Sequence, residues 1–316
     1  MYPKVSILIP SYNTQQWLEQ AIASALAQSY PNTEVIVVDD GSTDNSLEII
    51  RGFGDRIYWE TTRNRGGNPT RNRLLELSSG EWLQYLDSDD YLLSDKIAQQ
   101  IEFIDRYPQT DLVYSPSIIQ HHYSHNDIVR EVLPIPQPHD PWILLAKWYL
   151  PQTGSPLWRR QAIIDVGGWK EDQPCCQEHE LYLRLLQNCK NFSYFERAGS
   201  VYRQWSESTV CRKNQAQTYR KRLEIVDRLE KHLARTDELN LIRQTAINQA
   251  RFECARIIWL TDKQWSSQII QQITRTQSDF VPAKITPAIY RWLYRNLGFN
   301  SAETVARIKR QIAFNR

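Results

Sequence analysis

Three carboxylates, Asp87, Asp89 and Asp90, stand within four residues, directly after the apolar Trp82, Leu83, Tyr85 and Leu86 of GEWLQYLDSDD. Like charges this close must raise their pKa values, reach into solvent or bind a cation. One residue separates Asp87 from Asp89, so in an extended or turning segment both carboxylates can face the same hard ion. Magnesium and manganese favour oxygen ligands, keep several waters, and are commonly held by one or two carboxylates together with substrate phosphates. The chemistry in view is therefore a divalent metal bridging the protein to a diphosphate. A calcium loop starting at Asp87 would need Gly at its sixth position and a carboxylate at its twelfth, where Leu92 and Ala98 stand. The phosphate cradles G-x-G-x-x-G and G-x-x-x-x-G-K-[ST] are both missing. A phosphatase with an Asp nucleophile would carry its acid at the end of the first strand, which here ends in PSYN.

Other segments offer complementary groups. Asp39 and Asp40 close TEVIVVDD, and a strand-end carboxylate such as Asp40 can accept the imide N–H of uracil or thymine. The plainer alternative is turn and cap formation, for which DDGSTD is equally well composed. NRGGNPTRN brings Arg65 and Arg71 beside small residues, and either arginine could meet diphosphate or a neighbouring carboxylate. In CCQEHELYLRLL, Glu178, Leu181 and Leu185 recur at helical spacing, as do Glu180 and Arg184, so a helix could present carboxylates to a cleft. Acids favoured by the helix dipole are the alternative. His121, His122 and His125 cluster in HHYSH, but no cysteine or carboxylate spacing supports a metal there, and a solvent-exposed loop is expected.

The elements that must position these residues alternate. KVSILIP (4–10) and TEVIVVDD (33–40) are apolar runs too continuous for half-exposed strands and suit a buried parallel sheet. Between them Trp17, Leu18, Ala21, Ile22, Ala25 and Leu26 recur at helical spacing. STDNSLEIIRGF then predicts a helix, RIYWETT a strand, NPTRNRLLELSSG a helix and EWLQYLD a strand. This order predicts an α/β fold with a mostly parallel sheet flanked by helices. Right-handed crossovers place PSYN, DDGSTDNS and DSDD along one sheet edge, where open α/β sheets bind ligands. A helix over 93–106, a strand DLVYSPSII and a Pro-rich loop over 134–141 follow.

At 316 residues and 41% apolar content the chain can bury a real core. It has no run of about 18 apolar residues, and its first ten residues lack the order of a signal peptide. The expected location is cytoplasmic, with possible peripheral contact at the inner face of the membrane. Five cysteines, Cys175, Cys176, Cys189, Cys211 and Cys254, without C-x-x-C spacing read as reduced thiols. The net charge of +2 hides a division, since 20 Lys/Arg face 9 Asp/Glu from Arg212 onward. The expected organisation is a domain over 1–211, its nucleotide-binding part at about 1–115 and its acceptor part at about 116–211, followed by a basic helical region over 212–316. Such a tail, rich in Trp and Tyr, could contact an anionic membrane, with a solvated helical face as the plainer reading; no nucleic-acid partner is expected.

VSILIPSYN, VIVVDDGSTDNS, NRGGNPTRN, GEWLQYLDSDD, VGGW and QEHELYLRLL, in that order over roughly Val5 to Ser208, resemble the GT-A fold glycosyltransferases of family 2. The resemblance implies inverting transfer of a sugar from a nucleoside diphosphate sugar, UDP- or dTDP-linked, to a hydroxyl of a glycan or lipid-linked acceptor, assisted by Mn2+ or Mg2+. It assigns Pro10, Tyr12, Asn13, Asp39 and Asp40 to the base and ribose, with Tyr12 against the base. It puts Asp87 and Ser88 close to the donor and Asp87 and Asp89 on the metal. Beside it, Arg65 and Arg71 stay open between diphosphate, a neighbouring carboxylate and surface salt bridges, and Asp90 reads as structural, at the start of the following turn. Two positions depart from the family pattern. Glu178 stands where the family usually has the Asp of an ED pair, its catalytic base; Glu is one methylene longer, so Glu180 stays a second candidate. Trp205, in VYRQWSES, stands where a His is often found; it could stack on a sugar face while Arg203 reaches phosphate. Two other classes are an inactive nucleotide-sugar-binding module, given the non-consensus base, and a nucleotidyltransferase, which would want a basic Gly-rich loop near the first strand.

Overall fold

A computed structural model describes residues 2–122, 128–205 and 214–314 of the protein. His125, Cys211, Ser206 to Ser208 and the expected boundary at Arg212 lie outside the described residues. The chain divides into two units: residues 1–141 with 149–213, and residues 142–148 with 214–316.

The first unit is built on a seven-stranded sheet. In chain order its strands are β1 (Val5–Ser11), β2 (Thr33–Asp39), β3 (Tyr58–Thr61), β4 (Trp82–Tyr85), β6 (Leu112–Tyr114), β9 (Leu157–Arg159) and β10 (Phe192–Tyr194), arranged β10-β6-β9-β4-β1-β2-β3. β1 pairs in parallel with β2 and β4, β2 with β3, and β10 with β6; β9 alone runs against its two neighbours. Continuous apolar runs predict this, because a parallel strand covered by helices is buried on both faces. Val5, Ile7, Leu8 and Ile9 of β1 are all fully buried. Helix α1 (Leu18–Leu26) lays Leu18, Ala21, Ile22 and Ala25 into the same core, joined by Val35, Val37 and Ile50. From β1 the chain builds β2 and β3 to one side and then crosses to β4 on the other. This reversal leaves the carboxyl ends of β1 and β4 flanking a crevice, the place where open α/β sheets take ligands.

Helices α2 (Ser46–Gly52), α3 (Gly67–Leu77), α4 (Lys96–Arg106), α5 (Pro141–Ala146), α6 (Arg160–Asp165) and α7 (Gln177–Gln187) follow in order. A second sheet, ordered β5-β11-β7-β8, is formed by β5 (Tyr91–Leu92), β7 (Ser117–His122), β8 (Ile128–Leu133) and β11 (Ser200–Gln204). It corrects two expectations. DLVYSPSII is not one strand: Pro116 has no N–H to give a ladder, and the chain changes sheets there, from β6 to β7. His121 and His122 are not in a loop but in β7, with His121 beside Glu131 at 3.2 Å and His122 beside Gln120 at 2.7 Å.

The second unit holds helices α8 (Gln215–Arg235), α9 (Leu241–Ile258), α10 (Lys263–Thr276) and α11 (Ala288–Phe314), the last broken at Gly298, whose φ is 77°. Asn214, Asn240 and Asp262 cap the first three, each accepting a backbone N–H three residues on. Phe252, Ala255, Ile258, Ile273, Tyr290 and Phe299 are among the residues of its apolar core. Arg251 of α9 is fully buried and held by Asp227 and Glu230, each at 2.6 Å. The segment Trp142–Trp148, lying between strands of the first unit in sequence, belongs to this helical unit. Trp142, Ile143, Leu144 and Leu145 are buried, Trp142 stacks on His232 with centroids 5.2 Å apart, and Arg222 lies over Trp148.

Candidate active site

A cleft of about 660 Å³ opens at the carboxyl ends of β1, β2 and β4, within the size range of small-molecule sites. Its lining comes from Pro10 to Thr14 at the end of β1 and just beyond it, Asp40 after β2, Asn64, Gly66, Gly67, Thr70 and Arg71 before and within the start of α3, and Asp87 to Asp89 after β4. Gln152, Thr153, Cys175 to Glu178, Tyr202, Arg203 and Trp205 complete it. All of these residues lie within the first unit.

After β1, Asn13 adopts a left-handed φ of 50° and ties two loops together: its N–H donates to Ser42 Oγ at 2.9 Å, and its Oδ1 accepts the Thr43 N–H at 2.8 Å. Tyr12 is left half exposed, its ring free to lie against a ligand. Ser88 is buried and accepts a hydrogen bond from Thr14 Oγ1 at 3.0 Å, fastening the end of β1 to the loop after β4.

Strand alternation separates the two acids at the end of β2, Asp39 closing the strand and Asp40 following it. Asp40 reaches the cleft, while Asp39 does not line it: its carboxylate accepts from Thr61 Oγ1 at 2.7 Å and from the Ser42 N–H, and so supports the turn. Asp40 also has a structural task, because its two oxygens accept the N–H groups of Arg65 and Gly66, each at 2.8 Å. A carboxylate offers about four acceptor positions, so these bonds leave capacity towards the cleft. Arg65 turns outward to Glu171 at 3.7 Å and does not line the cleft.

Arg71 meets a carboxylate. Its Nη2 donates to Asp87 Oδ1 at 2.8 Å, its Nη1 to Gln177 Oε1 at 2.9 Å, and its guanidinium lies over the Trp169 ring at 5.0 Å. One side chain thus fastens the loop after β4 to the first residue of α7, next to Glu178.

Asp89 accepts the Trp205 indole N–H at 3.0 Å. Burial, then the charge of Asp87, pushes its carboxyl above the ordinary Asp range despite Trp205 and Arg203. Asp90 is buried and pushed well up by burial and by Asp89 and Asp87; it accepts the Arg203 N–H at 2.8 Å, the structural role expected of it. Arg203 lines the cleft, but its guanidinium is already engaged. It donates to the Asp89 carbonyl at 2.6 Å and to Gln20, and it is sandwiched between Trp17 and Tyr91 at 4.6 and 4.7 Å. It therefore buttresses the acidic loop.

Helix α7 separates Glu178 from Glu180. Glu178 lines the cleft with its side chain 25% exposed, 3.5 Å from His179 Nδ1. Burial raises its pKa, but the His179 hydrogen bond and charge, with Arg71 adding to them, outweigh that and hold the carboxyl below the ordinary Glu range. Glu180 is 1% exposed and faces the other way, paired with Arg184 Nε at 2.8 Å, whose Nη1 in turn donates to the Val166 carbonyl. Residues about 200° apart on a helix cannot serve the same cleft, and it is Glu178 that is presented.

Among the described residues no three His, Cys, Asp or Glu side chains converge on one point. A cation in the cleft would take its protein ligands from Asp87 and Asp89. Such a donor set fits a hydrated Mg2+ or Mn2+ completed by phosphate oxygens better than Zn2+ or Ca2+. The sequence reading missed Gln152, Thr153 and Tyr202; the first two lie in an irregular loop without a pattern, while Tyr202 immediately precedes Arg203 in the VYRQWSES segment.

The model of the family described as Glycosyl transferase family 2 matches residues 6–159. Similar proteins include an uncharacterized glycosyltransferase of Haemophilus influenzae, 42% identical over 106 residues, which are 32% of this chain and 42% of that protein. The putative teichuronic acid biosynthesis glycosyltransferase TuaG of Bacillus subtilis is 40% identical over 108 residues, 32% of this chain and 42% of that protein. The UDP-Glc:alpha-D-GlcNAc-diphosphoundecaprenol beta-1,3-glucosyltransferase WfaP of Escherichia coli is 38% identical over 103 residues, 32% of this chain and 41% of that protein. The chain thus spans less than half the length of these curated relatives. In fold it is similar to S. aureus TarS 1-349, solved in complex with UDP-GlcNAc, with a TM-score of 0.68 at 18% identity over 98% of this chain and 92% of that one.

Proposed function

Through residues 6–159 the chain belongs to glycosyl transferase family 2, and on that premise we propose that it moves a sugar from a UDP- or dTDP-linked donor to an acceptor hydroxyl, with inversion and with the help of Mg2+ or Mn2+. One observation carries the reading: Asp87, Asp89 and Glu178 line one cleft, and Arg71 ties Asp87 to the helix start that presents Glu178. Tyr12 and Asp40, both in the lining, suit the base, with Asp40 as acceptor for an imide N–H. Asp87 and Asp89 would hold the cation, which would offset the negative charge growing on the departing diphosphate.

Glu178 is the base. It lines the cleft from the start of α7, placed to take the acceptor proton as the hydroxyl attacks the face opposite the diphosphate. A single displacement inverts the anomeric centre and needs no second nucleophile. The acceptor class we propose is a sugar carried on a diphosphate lipid, as in the name of WfaP, or a growing glycan, as in that of TuaG.

The test is Glu178→Gln, which keeps size and most hydrogen bonding and removes proton affinity. Transfer is expected to fall roughly 100-fold or more, with metal-dependent donor binding little changed. Glu180→Gln is the control: it weakens the buried pair with Arg184, lowering the melting temperature while folded protein still turns over. Normal transfer by the Glu178 variant would remove the assignment.

A further inference from the structure

Residues 280–309 carry five bases, Lys284, Arg291, Arg295, Arg307 and Lys309, and a single acid, Glu303. That acid does not face solvent: it is buried, and its Oε1 accepts from Arg256 Nε at 2.6 Å and from the Tyr290 hydroxyl at 2.7 Å. The segment therefore presents positive charge without a solvent-facing carboxylate of its own. It also presents apolar side chains that a solvated helix does not need. Ile285, in the turn before α11, is 88% exposed, Ile289 is 53% exposed and Trp292 is 59% exposed. Ile289, Trp292 and Asn296 follow one another at i, i+3 and i+7, so they share a helix face, and Arg295 borders it. The buried Tyr290 points elsewhere. An apolar cleft of about 250 Å³ adjoins this face, lined by Ile289, Leu293, Val305 and Lys309 among others.

We infer that this Trp-centred cationic face of the helical unit docks on an anionic lipid bilayer. Ile285, Ile289 and Trp292 enter the boundary between headgroups and acyl chains, where Trp is favoured, and Lys284 and Arg295 meet lipid phosphates. Charge complementarity selects this occupant. A second copy of the same face would bring like charges together. A nucleic acid would answer the charge but leave the aliphatic Ile285 and Ile289 without a partner. The association is peripheral, since no helix among the described residues is long and apolar enough to cross a membrane.

The test is co-sedimentation of the full chain with vesicles of phosphatidylcholine containing phosphatidylglycerol, at low and at physiological salt, against phosphatidylcholine alone. Binding is expected only to the anionic vesicles and should weaken as salt rises. Each basic side chain near such a surface multiplies binding roughly fivefold, so Lys284→Gln with Arg295→Gln should weaken it about 25-fold. Trp292→Ala with Ile285→Ser should weaken it roughly tenfold or more, from lost apolar burial, while circular dichroism stays that of the parent. Absence of wild-type binding at low salt overturns the inference, as does binding that both double variants retain in full. A fall in sedimenting mass of these variants without lipid would give the face to a second copy instead and equally overturn it. The assay reads no sugar transfer, so it stands or falls independently of the proposed reaction.

Discussion

At the scale of single residues the cleft is governed by crowded carboxylates, and Asp89 shows how. Burial and Asp87 raise its pKa above the ordinary Asp value near 3.8. A group raised on folding binds more protons folded than unfolded between the two pKa values, so its contribution to stability falls as pH rises through that window. Without metal, Asp89→Asn should therefore melt above the wild type at neutral pH, with the difference shrinking as pH drops towards 4. Mn2+ should raise the wild-type melting temperature and leave the variant nearly unmoved, because a ligand that binds only the native state stabilises it. Thermal melts with and without Mn2+ across this range check both halves; equal metal-induced shifts would remove Asp89 from the metal. The DSDD cluster was legible in sequence because charge crowding is local. The choice between Glu178 and Glu180 was not, since it depends on which face of α7 the rest of the fold covers. Nor was the engagement of Arg203, whose partners Gln20, Trp17 and Tyr91 come from distant segments.

At the scale of elements, the site is an arrangement of strand ends and one helix start, and Arg71 is the link between them. Its planar fork serves Asp87 and Gln177 together, a geometry the single ammonium of Lys cannot reproduce. Arg71→Lys should cost on the order of 2 kcal/mol of the interaction and lower transfer by roughly tenfold or more, by loosening α7 relative to the acidic loop. Steady-state kinetics check this; a loss seen only as a raised KM, with kcat intact, would mean that Arg71 acts on donor binding alone. Strands β1 to β4 and helices α1 to α3 could be read because apolar runs and helical spacing alternate in order along this stretch. DLVYSPSII could not, since its residues favour strand throughout and only Pro116 hints that they serve two sheets. Asp39 and Asp40 look equivalent in sequence, and the two-residue period of β2 divides them between turn and cleft.

At the scale of the whole molecule, two units with different chemistry share one chain. The helical unit is built around Arg251, a fully buried cation with Glu230 and the half-exposed Asp227 on it. Arg251→Ala removes the cation from the partly buried Glu230, leaving it only the Gln244 amide, and should destabilise this unit by about 3 kcal/mol. Urea unfolding followed by tryptophan fluorescence would show it as an early transition; an unchanged profile would mean that the carboxylates find other partners. The α/β class and the basic helices were visible in composition and order, because both are properties of long stretches. The interleaving of the units was not, because a seven-residue segment carries too little pattern to show which core it joins. That segment, Trp142–Trp148, has a consequence for how the protein is made. It leaves the ribosome some 70 residues before α8, whose His232 stacks on Trp142, so Trp142, Ile143, Leu144 and Leu145 spend that interval of synthesis without their own core. An exposed apolar segment on a nascent chain is a target for chaperones and for premature association. The order in which the two units mature is thus tied to translation: the α/β unit can begin to fold first, but it carries an unfinished piece of its neighbour until the last helices emerge.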